Sequence, residues 1–343
     1  MLSLALILAG LLSAAFPQEA ELLFVGDAMV HGPQLRAAMQ ADGSYDFHPC
    51  FEMLKPQISS ADYAVVNLET PVSGGRYSGY PQFNAPDGYV EALRDAGFDL
   101  FLTANNHMLD RGDHGLIKTV QLLDSLGISH IGTYTDADER SRRLPMIVNI
   151  KGFRVGLLNY TYGTNGIKPR GNVVVDYIDR PTIESDVKAL RHAGAEIIIA
   201  NMHWGEEYHL KPVASERSTA DFLTSLGVDA IVGSHPHVVQ PVETRRNPLT
   251  GTPVQIVYSL GNFISNQQDT NSRGGLMVKM KLKRKNGIAT VSAPECHLIY
   301  CVHPSGAQRN YMVVPIDSVT PQWRQRAEAF RKAAPITEHK ETE

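Results

Sequence analysis

Short apolar runs rich in β-branched residues alternate along this chain with amphipathic helical stretches. Seven runs predict largely buried strands: ELLFV (21–25), DYAVV (62–66), FDLFLT (98–103), RVGLLNY (154–160), AEIIIA (195–200), VDAIV (228–232) and VQIVYSL (254–260). The stretches between them that predict helices are PDGYVEALRDAG (86–97), DHGLIKTVQLLDSLG (113–127), RPTIESDVKALRHAG (180–194) and SERSTADFLTSLG (215–227). We expect Asp113 to cap the second of these helices. The alternation predicts an α/β layered fold in which sheets are sandwiched between helices.

The pattern changes after residue 270. The runs GGLMVKMKL (274–282), IATVSAP (288–294), HLIYCVH (297–303) and YMVVPI (311–316) predict short strands, and a polar helix follows within 318–334. The sequence contains no internal repeat and no low-complexity linker. We therefore expect one domain over residues 21–320, followed by a C-terminal helix and polar tail over residues 321–343.

The first residues resemble a cleavable secretory signal over residues 1–15. The apolar stretch 2–12 is too short to span a bilayer, and small residues follow it at 13–15. The basic residue that usually precedes such a stretch is missing. We expect an exported protein, periplasmic or extracellular. A misassigned start codon or a buried helix is the alternative.

Charge and cysteine content restrict the partners and the redox state. The formal charge of −4 and the pI of about 6.4 give no electrostatic reason to expect a nucleic-acid partner. The basic run KMKLKRKNG (279–287) predicts a solvated strand face that runs into a hairpin turn. The three cysteines, Cys50, Cys296 and Cys301, are an odd number. Cys296 and Cys301 would point to opposite faces of one strand, so we expect free thiols.

Polar side chains follow nearly every apolar run, at the point where the predicted strand ends. In chain order these residues are Asp27; Asn67 and Glu69; Asn105, Asn106 and His107; His203, Glu206 and Glu207; His235 and His237; and Asn262. In open α/β sheets, ligands bind beyond the carboxyl ends of the strands. If the sheet is mostly parallel, all these groups converge on one rim.

The residue types in this set suit a pair of divalent metal ions. Imidazole favours zinc, iron and copper, whereas carboxylate and amide oxygens favour manganese and magnesium. Two such ions that share a carboxylate can hold both a nucleophilic water and the oxygen of a phosphoryl or carbonyl group. In an extended His-Pro-His segment, His235 and His237 would point the same way, with one imidazole directed to each ion.

Six segments resemble the signature motifs of one family. These are VGDAMVHG (25–32), VVNLETPVS (65–73), LTANNHMLDRG (102–112), NMHWGEEY (201–208), GSHPHVVQPVE (233–243) and YSLGNFISNQ (258–267). In order and spacing they are similar to the CapA family of capsule-biosynthesis (poly-γ-glutamate synthesis) proteins, which has the calcineurin-like metallophosphoesterase fold. The resemblance extends over residues 21–315. It implies a four-layer α/β/β/α sandwich with a binuclear metal site.

The resemblance also implies a role for individual residues. The residues that match metal ligands are Asp27, Glu69, Asn106, His203, His235 and His237, and His107 matches the general acid that protonates the leaving group. Glu69, Asn106, His203 and His235 would then hold one ion, and Asp27, Glu69 and His237 the other. The ions would be manganese, zinc, iron or magnesium.

Two departures from the superfamily pattern affect the ion that Asp27 would hold. Metallophosphoesterases normally have histidine two residues after the first aspartate, where this chain has Met29. The bridging aspartate is replaced by Glu69. Both departures are usual in the CapA branch. The ion held by Asp27 would either be bound weakly or complete its shell with water or substrate, unless His31 substitutes as a ligand.

A second set of residues is expected to bind substrate or to orient the ligands: Asn67, Asp110, Trp204, Glu207, Tyr208 and Asn262. Asp110 and Asp113 either cap the next helix or orient His107. Trp204 either packs in the core or forms one wall of a substrate pocket. Asn105 is expected to be a loop residue with a left-handed backbone.

Three functions remain open on the sequence alone. The first is hydrolysis of a capsule-type anionic polymer such as poly-γ-glutamate during its synthesis or processing, with possible peripheral contact to an envelope synthase complex. The second is a periplasmic phosphoesterase acting on nucleotides or sugar phosphates, against which Met29 counts mildly. The third is a non-enzymatic factor that binds the polymer for its retention or export. The sequence leaves the oligomeric state undetermined.

Overall fold

The strands of the protein follow the order predicted from the apolar runs. The structure, a computed structural model, describes residues 19–306 and 308–336, so the predicted signal segment lies outside the described residues. The strands in chain order are β1 (Glu19–Ala28), β2 (Tyr63–Leu68), β3 (Leu100–Leu102), β4 (Ser129–Ile131), β5 (Thr133–Tyr134), β6 (Ile147–Ile150), β7 (Phe153–Thr161), β8 (Val174–Val175), β9 (Ile197–His203), β10 (Ala230–Ser234), β11 (Val242–Arg246), β12 (Pro253–Val257), β13 (Asn262–Ile264), β14 (Gly274–Lys285), β15 (Ile288–Val291), β16 (Glu295–Val302) and β17 (Met312–Pro315).

The helices include the four predicted between strands and the one predicted near the C-terminus. In chain order they are α1 (Gly32–Ala38), α2 (Lys55–Ser60), α3 (Asp87–Ala96), α4 (Gly112–Ser125), α5 (Ala137–Arg143), α6 (Arg180–His192), α7 (Ala214–Ser225) and α8 (Pro321–Ala333). The expectation that Asp113 caps α4 is wrong, because Asp113 lies inside the first turn and no side chain caps this helix. Its carboxylate instead accepts the backbone N–H groups of Arg170 and Gly171.

Two large sheets form the centre of the molecule. The larger has the order β17-β16-β14-β1-β2-β3-β4, with β13 beside β1 and β15 beside β14, and the smaller has the order β11-β12-β10-β9-β7-β6. Strands β1 to β4 run parallel, as do β7, β9, β10 and β12. Parallel strands bring their carboxyl ends to the same edge, so each sheet collects loop residues at one rim.

Three apolar layers make up most of the core. Alternate residues of β1 face opposite sides: Leu22 and Phe24 pack between the two sheets, whereas Leu23 and Val25 pack against α1, α2 and α3. On the far side of the smaller sheet, Ile198 packs with residues of α6 and α7. This arrangement confirms the four-layer α/β/β/α sandwich.

The C-terminal helix α8 differs from its prediction as a polar element. Trp323, Ala327 and Phe330 recur at helical spacing and pack with the core between the sheets. The polar residues dominate the composition of the helix, and they hide this narrow apolar face in the sequence.

Two smaller predictions are confirmed, one on the cysteines and one on the basic run. Cys50, Cys296 and Cys301 are buried, and none of them forms a disulfide. The basic run forms the end of β14, and Asn286 and Gly287, both with positive φ, turn it into β15 as a hairpin. None of the described helices combines the length and the apolar character that a membrane span requires.

Candidate metal centre

The carboxyl ends of the parallel strands of both sheets meet at one place, and the polar residues predicted from the strand ends lie there. Asp27 lies in β1 and Glu69 directly follows β2, whereas His203 ends β9 and His235 directly follows β10. All four side chains are buried. The backbone N–H of His235 donates to Oδ2 of Asp27 at 3.3 Å, so the two sheets are joined directly at this point.

Two glycines allow this close approach of the sheets. A Cβ atom on Gly26 would lie 1.9 Å from the carbonyl oxygen of Gly261, and one on Gly233 would lie 1.8 Å from that of Tyr258. The segment that contains Tyr258 and Gly261 therefore runs in contact with both β1 and β10. A side chain at Gly26 would push this segment away from β1, which carries Asp27. A side chain at Gly233 would push it away from β10, which precedes His235.

Glu69 occupies the centre of the cluster. Its side chain is completely buried, and its Oε1 atom has no hydrogen-bond partner. This oxygen lies 3.9 Å from Nε2 of His203 and 3.8 Å from Nε2 of His237. These separations are too long for hydrogen bonds, but they suit two ligand atoms on either side of a metal ion.

Two groups of ligand atoms share Glu69. One contains Glu69, His235 and His237 and the other contains Asp27, Glu69 and His203, with all ligand atoms of a group within 4.8 Å of one another. Glu69 therefore has the position of a bridging ligand. The grouping differs from the expected one, in which His203 was to join His235 and His237 was to join Asp27.

The two buried carboxylates repel each other. Burial raises the pKa of Glu69 well above its usual value, and the neighbouring Asp27 raises it further. Burial also opposes ionisation of Asp27, but the hydrogen bonds that its carboxylate makes with His237 and Asn67 help to hold the pKa of Asp27 below its ordinary value. A cation between the carboxylates would remove this repulsion. The mixed oxygen and imidazole donor set fits a divalent ion.

The imidazoles have the protonation state that metal binding needs. Burial lowers the pKa of His203 well below its usual value and that of His235 to about 3, so both are neutral near pH 7. Nδ1 of His237 lies 3.1 Å from Oδ2 of Asp27 and 3.1 Å from Oδ1 of Asn262. Because both are acceptors, we infer a proton on Nδ1, which leaves the lone pair on Nε2 for a metal. Nδ1 of His235 is buried without any hydrogen-bond partner.

The His-Pro-His segment is not extended, which corrects the expectation. His235 has φ of 98° and His237 has φ of 58°, so both lie in the left-handed region that non-glycine residues rarely adopt. The backbone turns twice within three residues. The rings still meet, with their centroids 5.9 Å apart. The segment therefore reaches the site through two unfavourable backbone conformations, which are typical of functional positions.

Two asparagines connect the ligands beneath the cluster. Nδ2 of Asn67 donates to Oδ1 of Asp27 at 2.8 Å. Nδ2 of Asn105 donates to the carbonyl of Leu68 at 2.8 Å, and its Oδ1 accepts the N–H of His107 at 3.2 Å. Asn105 is buried in the loop after β3, but the predicted left-handed backbone is wrong, because its φ is not positive.

His107 is paired with a carboxylate. Its Nδ1 lies 2.7 Å from Oδ2 of Asp110, which also accepts the N–H of Phe83 at 2.8 Å. The Phe83 ring stands edge-on to His107, with centroids 4.6 Å apart. Of the two alternatives for Asp110, the structure therefore has the one that orients His107. Nε2 is the nitrogen left for contact with a bound molecule.

Asn106 connects the cluster to a loop that the sequence interpretation missed. Its Oδ1 lies 2.9 Å from Nε2 of His203, and its Nδ2 donates to Oδ1 of Asn165 at 3.2 Å. The half-exposed ring of Tyr162 packs on His235, with centroids 4.5 Å apart. Asn165 and Tyr162 follow β7, the strand whose end carries no acidic or histidine residue. Their position after a buried strand is the signal that points to them.

The residues that follow His203 diverge in the structure. The indole of Trp204 is buried in the core against the outer helices and donates to the carbonyl of Tyr258 at 2.9 Å, so it packs and does not form a pocket wall. Glu207 is exposed. Tyr208 is half exposed, and its ring lies 6.1 Å from that of His237. Glu207 and Tyr208 therefore lie at the mouth of the site.

Met29 and His31 supply no ligand to either group. Met29 is buried, and its carbonyl accepts the amide of Gln34 and the hydroxyl of Tyr89. Nδ1 of His31 lies 3.2 Å from Oε1 of Gln34 and accepts the N–H of Asn266 at 3.3 Å. Burial lowers the pKa of His31 to about 4. His31 is therefore a neutral neighbour of the cluster and belongs to neither ligand group.

Residues 21–267 match the family model of the bacterial capsule synthesis protein PGA_cap. The chain belongs to this family. It is 30% identical over 278 residues to Capsule biosynthesis protein CapA of Bacillus anthracis, covering 77% of this chain and 64% of that protein. It is 29% identical over 272 residues to PGA biosynthesis protein CapA of Bacillus subtilis (strain 168), covering 77% of this chain and 68% of that protein. The chain thus spans a little under two thirds of the length of the B. anthracis relative.

The fold also matches a solved structure. Calcineurin-like phosphoesterase YfkN from Bacillus subtilis superposes with a TM-score of 0.50 at 14% identity, covering 92% of this chain and 98% of that one. At this identity the likeness concerns the fold alone. The calcineurin-like fold and the membership of the CapA family, both expected from the six motifs, are confirmed. The described residues contain two candidate ligand groups for a metal ion.

Proposed function

We propose that this PGA_cap-family protein is a hydrolase that uses two divalent ions and acts on a capsule-type anionic polymer. The observation that carries the proposal is the orphaned Oε1 atom of Glu69, buried between the imidazoles of His203 and His237. A buried carboxylate oxygen without a partner costs free energy, and a metal ion is the partner that fits its neighbours.

The proposed ligands are those that the two groups suggest, together with the amide of Asn106. Glu69 is shared, Asp27 and His203 serve one ion, and His235 and His237 serve the other. Oδ1 of Asn106 lies beside Nε2 of His203. Asn106 would therefore bind the ion that Asp27 and His203 hold. Bound divalent ions supply Lewis-acid polarisation of the scissile group and activation of a water molecule.

His107 is the proposed general acid. Asp110 holds Nδ1 and so fixes the orientation of the ring. Nε2 can then give its proton to the leaving atom of the substrate. Phe83 and Tyr162 flank the imidazoles of His107 and His235 and limit the access of bulk water to them.

The polymer is a proposal that rests on relatives. The B. subtilis relative is described as a PGA biosynthesis protein, which supports poly-γ-glutamate or a similar polycarboxylate as the substrate. Export to the periplasm or the cell exterior, and peripheral contact with an envelope synthase complex, are proposed on the same basis. The ions are manganese, zinc, iron or magnesium.

Metal content per chain tests the centre itself. Elemental analysis of the wild-type protein after incubation with manganese or zinc is expected to give two equivalents. Glu69→Gln is expected to lose both ions, and His235→Ala is expected to lose one. His192→Ala, which changes an exposed histidine of α6, is the matched control and should retain them. Wild-type protein that binds no ion under these conditions would remove the hydrolytic proposal and leave polymer binding without turnover.

Turnover assays then separate the candidate reactions. New amine termini released from poly-γ-glutamate, but not phosphate from a panel of nucleotides and sugar phosphates, would support the polymer hydrolase. Phosphate release alone would favour the phosphoesterase. Polymer binding that persists in His107→Ala without any turnover in the wild type would identify a binding factor.

A further inference from the structure

A cavity beside the metal centre has a strongly basic lining. Its volume is about 550 Å³, and it lies between the start of α1 and the loop 76–80. Arg36, Arg76 and Arg111 line it, together with Tyr45 and Tyr77. None of these residues belongs to a metal-ligand group. The metal chemistry therefore gives the cavity no function.

The three arginines have no carboxylate partner among the described residues. By contrast, Arg140, Arg143 and Arg245 each contact two or more acidic side chains elsewhere in the fold. Arg111 donates only to neutral groups, which are the carbonyls of Phe83 and Gln82 and the hydroxyl of Ser78.

Three guanidinium groups around one cavity repel one another unless an anion lies between them. Guanidinium groups bind carboxylates through two parallel hydrogen bonds. The phenol rings of Tyr45 and Tyr77, which line the cavity, pack edge-to-face against each other. The lining therefore suits an anionic ligand that presents more than one charge.

Arg111 connects the cavity to the residues around His107. Arg111 directly follows Asp110, the partner of His107, and its Nε donates to the carbonyl of Phe83 at 3.2 Å. The Phe83 ring stands edge-on to both His31 and His107. The arginine cavity thus begins on the side of the site where His107 lies.

Acidic residues also lie at the mouth of the site. Glu206 and Glu207 are exposed on the loop after β9, and the charge of Asp269 acts on Tyr208. A polyanion that enters the site would be repelled by these residues and attracted towards the arginines.

We propose that Arg36, Arg76 and Arg111 bind successive carboxylates of a linear polycarboxylate, on the side of the bond from which the leaving group departs. The choice of a carboxylate chain and its direction rest on the proposed function, whereas anion binding by the cavity does not. Because His107 stands between the metal ligands and the arginines, the chain segment that it protonates is the one that the arginines hold.

Binding measured without turnover tests this subsite. The probes are fluorescein-labelled γ-linked glutamate oligomers of increasing length, with polyphosphate of similar charge as the comparison. Fluorescence anisotropy is recorded for the wild type, Arg36→Gln, Arg76→Gln and the double variant, each with manganese and with a chelator. Arg36 and Arg76 are chosen because their side chains make no hydrogen bond to the described residues, so the fold should tolerate glutamine there. Arg142→Gln, at an exposed arginine of α5 that has no ion pair within the described part of the chain, removes the same charge at a distant place.

Each cavity variant is expected to weaken binding of the long oligomers about three- to tenfold, with less effect on the shortest, in agreement with exposed charge-assisted hydrogen bonds. The loss should persist in the chelator, which separates this subsite from the metal centre. Wild-type affinity in the double variant, or an equal loss in Arg142→Gln, would overturn the subsite. Arginine-dependent binding of polyphosphate that matches or exceeds that of the glutamate oligomers would overturn the choice of a polycarboxylate.

Discussion

Oδ2 of Asp110 lies 2.7 Å from Nδ1 of His107, and the exposed fraction of both side chains is 5% or less. A buried carboxylate at this distance fixes both the tautomer and the orientation of an imidazole. The pair lies beside the metal-ligand groups but belongs to neither of them. Its function can therefore be separated from that of the ions by substitution.

Asp110→Asn is expected to lower kcat about 10- to 100-fold while metal content stays unchanged, because an amide does not fix the tautomer and orientation of the imidazole as the carboxylate does. The measurement is kcat on the substrate identified by the turnover assays, together with elemental analysis of the same preparation. If the metal content falls along with kcat, Asp110 supports the ligands and not His107.

Removal of divalent ions is expected to lower the melting temperature of the wild-type protein. An ion present at 100 times its Kd stabilises the folded state by about 2.7 kcal/mol. Glu69→Gln should melt at the same temperature with and without chelator, since its bridging ligand is gone. Circular dichroism or differential scanning fluorimetry reports both values. A chelator effect of equal size in Glu69→Gln would place the stabilising ion elsewhere.

Trp204→Phe is expected to destabilise the protein by about 1 to 3 kcal/mol and to leave metal content and substrate affinity unchanged. The substitution removes both buried volume and the hydrogen bond to the carbonyl of Tyr258. Urea denaturation measures the loss of stability. Elemental analysis measures the metal content, and KM reports the substrate affinity. An altered KM with unchanged stability would restore the interpretation of Trp204 as a pocket wall.

The pH dependence of stability is expected to include a contribution from Glu216. Burial raises its pKa from 4.5 to about 7, against the opposing hydrogen bond from the N–H of Val213. The folded state thus holds the proton more tightly than the unfolded state. This contribution to stability is present below pH 4.5 and is lost as the pH rises through 7.

In Glu216→Gln, which can still accept the N–H of Val213, this part of the pH dependence should disappear. Urea denaturation at pH 5 and pH 8 measures it as the difference between the variant and the wild type. Glu52→Gln, at an exposed position, is the control. Identical pH dependence in the wild type and Glu216→Gln would show that the carboxyl ionises as freely in the folded state as in the unfolded chain.

The location of the site could be predicted from the sequence because it follows from topology. Parallel strands must place their carboxyl ends together, so Asp27, Glu69, His203 and His235 were bound to meet once the runs before them formed sheets. The same argument extended to β7 would have found Tyr162. A tyrosine after a strand carries no chemical signal of its own, so Tyr162 does not stand out in the sequence.

The local geometry of the site could not be predicted in the same way. The left-handed backbone at His235 and His237 depends on contacts from the opposite sheet, such as the hydrogen bond from His235 to Asp27. These backbone turns also decide which histidine shares a ligand group with Asp27 and Glu69. The arginines of the cavity come from three separate segments, so their sequence spacing carries no sign of their proximity.

The ligands of the candidate centre are divided between two sheets, with Asp27 and Glu69 at the end of one and His203 and His235 at the end of the other. The full set exists only after the sheets have docked. An ion that binds after the transition state of folding leaves the folding rate nearly unchanged and slows unfolding. Its concentration would then set how long a molecule stays folded, which is a kinetic and not an equilibrium stability.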